Sequence, residues 1–297
     1  MLKTTMANQH HARQRGKRLE HRDKRKDGNA YSLSQIGRLQ YSAHNTMLVK
    51  LSSQGNQAWY QYEESLKRRD LAGKQGRPDK GLVSVELASK YRAIADDIYR
   101  TEIQIFGNME AKNDDNWVEG TIRKGTLKDR IAAMSVIVSN DPIHKFHAID
   151  GLLHMAADCT ESVSGQPNSR VAQLAAEALE DLFVTTLLPK DRKLRALDQR
   201  SLPLLETDEE GEIQLGLALS PRTLLLWRFE EMVKQKFDIF VRHYLARTLR
   251  EGLEITKVSA LRTAGTLLLS VPEGEAQVRA FPVLLKRWCI LSEHVSD

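Results

Sequence analysis

The chain has 297 residues, 41% of them hydrophobic, 6% aromatic and 28% charged, with a net charge of +5. That is enough length for one large or two ordinary domains, and the modest apolar content suits an elongated helical protein with much surface. No apolar run approaches a bilayer-spanning length, the N-terminus lacks an apolar signal core, and Cys159 and Cys289 stand far apart without a CxxC, which fits a reducing compartment with idle thiols.

Residues 1–30 hold nine Lys or Arg and three acids, a net +6, so the remaining residues sum to −1. This stretch has no apolar periodicity and is expected to be a disordered basic tail. Its cations Arg13, Arg15, Lys17, Arg18, Arg22, Lys24, Arg25 and Lys26 suit a nuclear import receptor or RNA phosphates; the plain alternative is a solvated arm. His10, His11 and His21 have no ordered ligands beside them and do not read as a metal site. Residues 31–82 form an extension and linker. Trp59, Tyr60 and Tyr62 are expected to anchor it on the helical body, with base stacking beside Lys67-Arg68-Arg69 as the alternative. GKQGRPDK at 73–80 reads as linker and lacks the phosphate-loop pattern.

Helices are predicted over the rest of the chain, 83–297. Val83 to Phe106 repeats apolar residues at steps of three and four, with Gly107-Asn108 as its stop. Asn113 to Asn116 caps a short helix, Trp117 to Arg123, closed by Gly125; Asp114 and Asp115 have no third metal ligand spaced for them. The next helix, Leu127 to Ser139, carries Leu127, Ile131, Met134 and Val138 on one stripe. Thr126 caps it, and Asp129 stands where a capping box needs an acid. Asn140-Asp141-Pro142 then starts a helix with Ile143, Phe146, Ile149, Leu152, Leu153 and Ala156. His147 and His154 share a face of it, but with no HExxH and no cysteine cluster these and His144 are read as surface or packing histidines. A third helix carries Val171, Leu174, Ala178 and Leu182 and ends at Leu187-Leu188-Pro189.

Residues 201–220 read as an acidic loop. Ser220-Pro221 is a cap and first-position pair that opens a long helix to about Arg250, ended by Gly252. Its stripe is expected along Leu225, Phe229, Met232, Lys236, Ile239, Phe240 and His243. Glu254 to Ser270 makes another helix, through Ile255, Val258, Leu261, Leu267 and Leu268, and Ala276 to Leu291 a last one, interrupted near Pro282. Helix pairs of about forty residues with short turns point to an all-α, HEAT- or armadillo-like solenoid. There is no GxSxG, no dinucleotide fingerprint and no Cys-His motif, so no catalytic residue, cofactor or metal is assigned and the chain is expected not to be an enzyme. Nothing offers a helix-turn-helix, zinc finger or basic zipper for reading bases.

Four segments, GTLKDRIAAM at 125–134, DPIHKFHAIDGLLHMA at 141–156, AAEALEDLFVTTLLPKDRKLR at 175–195 and LLLWRFEEMVKQKF at 224–237, resemble in order and spacing the CCAAT/enhancer-binding protein zeta proteins, whose fungal members are the first of the nucleolar-complex proteins. The likeness covers roughly Lys90 onward, with a weaker echo at 57–63. The LLPxDRKLR and LWxFE pieces are its most specific parts. Gly125, Asp129, Arg130, Leu188, Pro189, Asp191, Arg192, Lys193, Leu194, Trp227, Phe229 and Glu230 are the motif residues it marks as structural or interaction positions. The resemblance implies a nuclear, nucleolar assembly factor for the large ribosomal subunit. Its implied partners are the second nucleolar-complex protein, as a heterodimer, and pre-ribosomal particles with their pre-rRNA, with no membrane and no small-molecule substrate. A promoter coactivator is the alternative. Family members run on into further repeats and a downstream domain, whereas this chain stops after the opening repeats, as a fragment, a truncated gene model or a reduced paralogue would. An open end would expose Phe281, Leu284, Leu285, Trp288 and Ile290, and aggregation is the expected consequence.

Overall fold

A computed structural model describes residues 31–32, 49, 58–62, 85–110, 117–157, 169–200, 202, 206–207, 213–215 and 219–271. The basic tail, the 73–80 linker, Asn113 to Asn116, both cysteines and the predicted last helix with its apolar residues lie outside these. The described body is helical, with one small antiparallel ladder.

Helix α1 spans Val85–Glu110 and buries Ala88, Tyr91, Ile94, Ala95, Ile98 and Ile105; of the expected stripe Val83, Leu87, Tyr91, Ile94, Ile98 and Ile105, the last four are buried, Leu87 is half-buried and Val83 lies outside the described residues. It runs past the expected stop: Gly107 sits inside the helix with open space where a Cβ would be. A glycine costs a helix about 1 kcal/mol without ending it, and here Glu110, a turn further on, is held by Lys145. Helices α2 (Trp117–Lys124) and α3 (Leu127–Asn140) form a hairpin about Gly125. The Thr126 hydroxyl accepts the Asp129 N–H at 3.3 Å and donates to the Asp129 carboxylate at 2.6 Å, so the predicted cap is present. Ile131, Met134 and Val138 are buried, but Leu127 is exposed in the first turn.

The helix expected from Pro142 begins later, as α4, Ala148–Ala157. Residues 142–147 form tight turns, joined to α4 by three-residue hydrogen bonds such as Ala148 N–H to Lys145 O and Ile149 N–H to Phe146 O. Helix α5, Ser169–Leu182, continues into a π turn, Phe183–Leu187. Its buried residues are Ala172, Ala175, Ala176, Leu179 and Leu182, whereas the expected Val171, Leu174 and Ala178 only flank the core. Alanine has too little apolar surface to announce a stripe, yet it lets helices approach closely, and α5 packs on α3, α4 and the last described helix.

Helix α6, Pro221–Ile239, runs through a second π turn, Phe240–Leu245, into α7, Ala246–Glu251. Ser220 caps it through the Thr223 N–H, and Gly252 follows it, as the sequence predicts. Its first half is buried nearly all round: Leu224, Leu225, Leu226, Phe229, Val233 and Phe237 are all fully enclosed. Of the expected stripe, Ile239 and His243 are instead exposed. Helix α8, Glu254–Ser270, buries Ala260, Thr263, Ala264 and Leu267, while Ile255 and Val258 point outward.

Consecutive pairs α2–α3, α3–α4, α4–α5 and α7–α8 pack together, but so do α1 and α6, which lie far apart in the chain. The 201–220 region is also more than a loop. Strand β3 (Ile213–Leu215) lies between β1 (Tyr31–Ser32) and β2 (Glu206–Thr207), antiparallel to both, with Tyr31 opposite Leu215 and Glu206 opposite Gln214. Part of the N-terminal extension is thereby joined to the acidic segment by backbone hydrogen bonds, a pairing that side-chain patterning does not reveal.

Candidate functional site

The two most specific sequence segments, 187–195 and 226–230, meet at the middle of α6. After the π turn, Leu188 is extended (φ −95°, ψ 127°), because a proline at 189 disfavours helix in the residue before it. The chain from there to the 3₁₀ turn Leu197–Gln199 crosses α6 as a strap, with Leu188, Leu194 and Leu197 buried. Two adjacent, buried carboxylates on α6 hold it. Glu230 Oε1 accepts from Arg192 Nη1 at 2.6 Å and the Arg195 N–H at 2.7 Å; its Oε2 accepts from Arg192 Nη2 at 3.0 Å and Arg200 Nη2 at 2.6 Å. Glu231 Oε1 accepts from Arg92 Nη2 at 2.7 Å and the Leu197 N–H at 3.4 Å; its Oε2 accepts from Arg92 Nε at 3.1 Å and Arg228 Nη1 at 2.8 Å. Arg228 also reaches Asp96 at 2.6 Å, and Lys234 Nζ donates to the Leu194 carbonyl at 2.8 Å. Strap, α1 and α6 are thus tied at one place.

Burial pushes the Glu231 carboxyl upward, but its hydrogen bond with Arg92, the charges of Arg92 and Arg228, and the Leu197 N–H outweigh this and hold it below its ordinary value. Arg92 is raised in turn, chiefly by its hydrogen bond to Glu231. Each carboxylate oxygen accepts two hydrogen bonds, so the cluster is charge-compensated and organised for structure.

Aromatic rings close the cluster. Trp59, 1% exposed, donates from Nε1 to the Leu187 carbonyl at 3.2 Å and meets Phe229 edge to face at 5.2 Å. Phe229 meets Phe146 on its other side at 5.1 Å. The Arg192 guanidinium stands 6.0 Å from the Trp59 ring and that of Arg200 4.5 Å from Trp227. The anchoring role expected of the Trp59 group is what the structure shows; Lys67, Arg68 and Arg69 lie outside the described residues.

A second polar cluster holds the extension further on. His144 is enclosed between Asp141 (Nδ1 to Oδ2, 2.7 Å) and Glu102 (Nε2 to Oε1, 3.4 Å), and the same Glu102 oxygen accepts the Val49 N–H at 2.9 Å. Phe106 stacks on the imidazole at 4.4 Å. Burial pulls the His144 pKa down, but the hydrogen bonds to Asp141 and Glu102 and their charges raise it to about 9, so the ring is cationic at neutral pH. His147 and His154 are exposed.

The motif residues divide accordingly. Leu188, Pro189, Arg192, Leu194, Trp227, Phe229 and Glu230 are brought together; Asp191 and Lys193 lie on the strap's exposed side. Gly125, Asp129 and Arg130 are at the α2–α3 corner instead. A Cβ on Gly125 would come within 2.5 Å of the Thr121 carbonyl, which explains the glycine. The Nε of Arg130 is buried there without a hydrogen-bond partner. The tail cations Arg13 to Lys26 lie outside the described residues. Arg92, Arg200, Arg228 and Glu231 escape a sequence reading. The available signal was two adjacent acids, Glu230 and Glu231, within the mostly apolar run Leu224 to Val233. Among the described residues no group of three His, Cys, Asp or Glu is placed to hold a metal ion, and no helix is long and apolar enough to cross a membrane.

Fold and cluster together define a helical protein whose long central helix is locked to a crossing strap by buried carboxylates. No family model matches the chain. Human CCAAT/enhancer-binding protein zeta is 30% identical over 193 residues, which is 64% of this chain and 17% of that protein. Nucleolar complex protein 1 of Drosophila melanogaster is 28% identical over 170 residues, 57% of this chain and 13% of its own length. Ribosome biogenesis protein NOC1 of Chaetomium thermophilum is 26% identical over 214 residues, 68% and 19% respectively. Over more than half of its length the chain is similar to these CCAAT/enhancer-binding protein zeta and nucleolar-complex proteins, and it spans less than a fifth of the length of each.

Proposed function

We propose that this chain is a non-enzymatic helical-repeat scaffold in the nucleolus that assists maturation and intranuclear transport of large ribosomal subunit precursors. It does so by binding the second nucleolar-complex protein and pre-rRNA. The observation that carries this is the use made of the two shared segments. Their charged residues Arg192 and Glu230 are spent on each other inside the protein, which is what a rigid platform needs and what acid–base catalysis would forbid. The names of the nucleolar-complex and ribosome-biogenesis relatives supply the cellular setting. Stacked helices give such a platform a long surface, and the basic tail adds salt-sensitive affinity for RNA.

The test is affinity purification of the tagged chain from nuclear extract, with RNA sequencing and mass spectrometry. Recovery of large-subunit precursor RNA with the second nucleolar-complex protein is expected. Promoter-bound transcription machinery without precursor RNA would overturn the proposal in favour of a promoter coactivator, a reading that the CCAAT/enhancer-binding in the human relative's name favours. Recovery of neither would also overturn it for this chain.

A further inference from the structure

The π turn at Phe240–Leu245 does something to the long helix that a straight α-helix would not. At about 100° per residue, Arg242 and Leu249, seven apart, would share one azimuth. Yet the Arg242 side chain is 63% exposed and Leu249 is 2% exposed. A π turn takes up one extra residue and sets everything after it back by about 100°. With that shift, Val241, Leu245 and Leu249 fall on one side, where all three are buried. Arg242, Arg247 and Arg250 fall together about 100° round the helix from that side, where Arg242 and Arg250 are exposed and Arg247 half-buried, with exposed His243 at the edge. The π turn gathers three arginines that the sequence leaves scattered.

Arg242 and Arg247 are engaged within the chain, and Arg250 stands beyond them. Asp238 pairs with Arg242 at 2.8 Å, on a surface where such a pair contributes under about 1 kcal/mol and yields readily to a stronger anion. Glu254, in the next helix, is held by Lys257 at 2.8 Å. Arg250 makes no ion pair with a described residue. Arg242 and Arg250 are eight residues apart, about 12 Å along the axis, and the helix fixes that separation before any ligand arrives. Guanidinium groups bind phosphate bidentately, so a fixed row of them suits a sugar–phosphate backbone.

We propose that the Arg242–Arg247–Arg250 face of the long helix is a contact for the backbone of single-stranded RNA, separate from the basic tail. This rests on the RNA part of the proposed function and locates it on the folded body. The test uses the full chain, a single-stranded RNA oligonucleotide of about twenty nucleotides, and fluorescence anisotropy across a salt series. Each lost phosphate contact lowers the slope of log affinity against log salt by about 0.7. The double variant Arg242→Gln, Arg250→Gln should therefore lose about 1.4 from the slope and bind roughly 25-fold more weakly at 0.1 M salt. Arg242→Lys, Arg250→Lys should keep the slope, and all variants should unfold at the wild-type denaturant concentration. The parallel tail variant, Arg22→Gln, Lys24→Gln, Arg25→Gln, Lys26→Gln, separates the two readings. If it alone weakens binding and the helix variant binds as wild type, the arginine face is not an RNA contact, while the proposed function stands. If the wild-type chain binds no RNA, both fall.

Discussion

Replacing Glu230 with alanine should be strongly destabilising. The substitution removes the acceptor for four hydrogen bonds, from Arg192, Arg200 and the Arg195 N–H. It leaves behind two guanidiniums whose side chains are only 20% and 4% exposed, with little water to replace the lost partner. Removing one member of a buried pair costs about 3–5 kcal/mol, because the other charge stays buried without compensation. At about 2–4 °C per kcal/mol for a protein of this size, the melting temperature should fall by about 10 °C. Circular dichroism during urea and thermal unfolding measures both. Arg195→Ala is the control, since only the backbone N–H of Arg195 joins the cluster, and it should change stability by under about 0.5 kcal/mol. The triple variant Glu230→Met, Arg192→Met, Arg200→Met should recover most of the loss, as apolar replacements of buried ion groups often do. A loss below about 1 kcal/mol for Glu230→Ala, or a triple variant as unstable as the single one, would refute the reasoning.

Three other outcomes follow from the same geometry. The His144 pKa is raised from 6.5 to about 9, so its contribution to stability is fully present below about pH 6.5 and fades as pH rises through about 9. The whole effect is on the order of 3 kcal/mol, and unfolding curves at pH 6 and pH 10 should differ by that much in the wild type but not in His144→Asn; a flat wild-type profile would contradict it. Trp59→Ala should cost about 3–5 kcal/mol and speed proteolytic cleavage N-terminal to Val85, since Trp59 bridges the extension to Leu187 and Phe229; unchanged digestion would show that the extension is held elsewhere. Gly107→Ala should stabilise by about 0.5–1 kcal/mol, as a mid-helix glycine with open space around it. Gly125→Ala should instead destabilise, because its Cβ meets the Thr121 carbonyl at 2.5 Å; equal effects in thermal melts would remove the distinction.

Much of this protein is legible in the order of its residues. Helix caps at Thr126 and Ser220, the proline after Ser220, and the glycine at 252 are local chemistry, and the structure has them where the sequence puts them. Apolar periodicity gives α1 its buried face for the same reason: a 3.6-residue repeat fixes which side chains share a side. The tertiary structure decided what local rules leave open. Alanines in α5 carry the packing although larger neighbours look more apolar, because closeness of approach is a property of two helices. Ile255 and Val258 are exposed although they look like core, because burial depends on which neighbour a face meets. Glu230 joins residues up to 38 positions away and Glu231 reaches back 139, and no spacing rule relates an acid to arginines brought in by another segment. The sequence determined most of the helices, the caps at Thr126 and Ser220 and the kin they resemble. Which charges would pair, and how the π turn would turn the arginines of the long helix to one side, depended on contacts that exist only once the helices are packed.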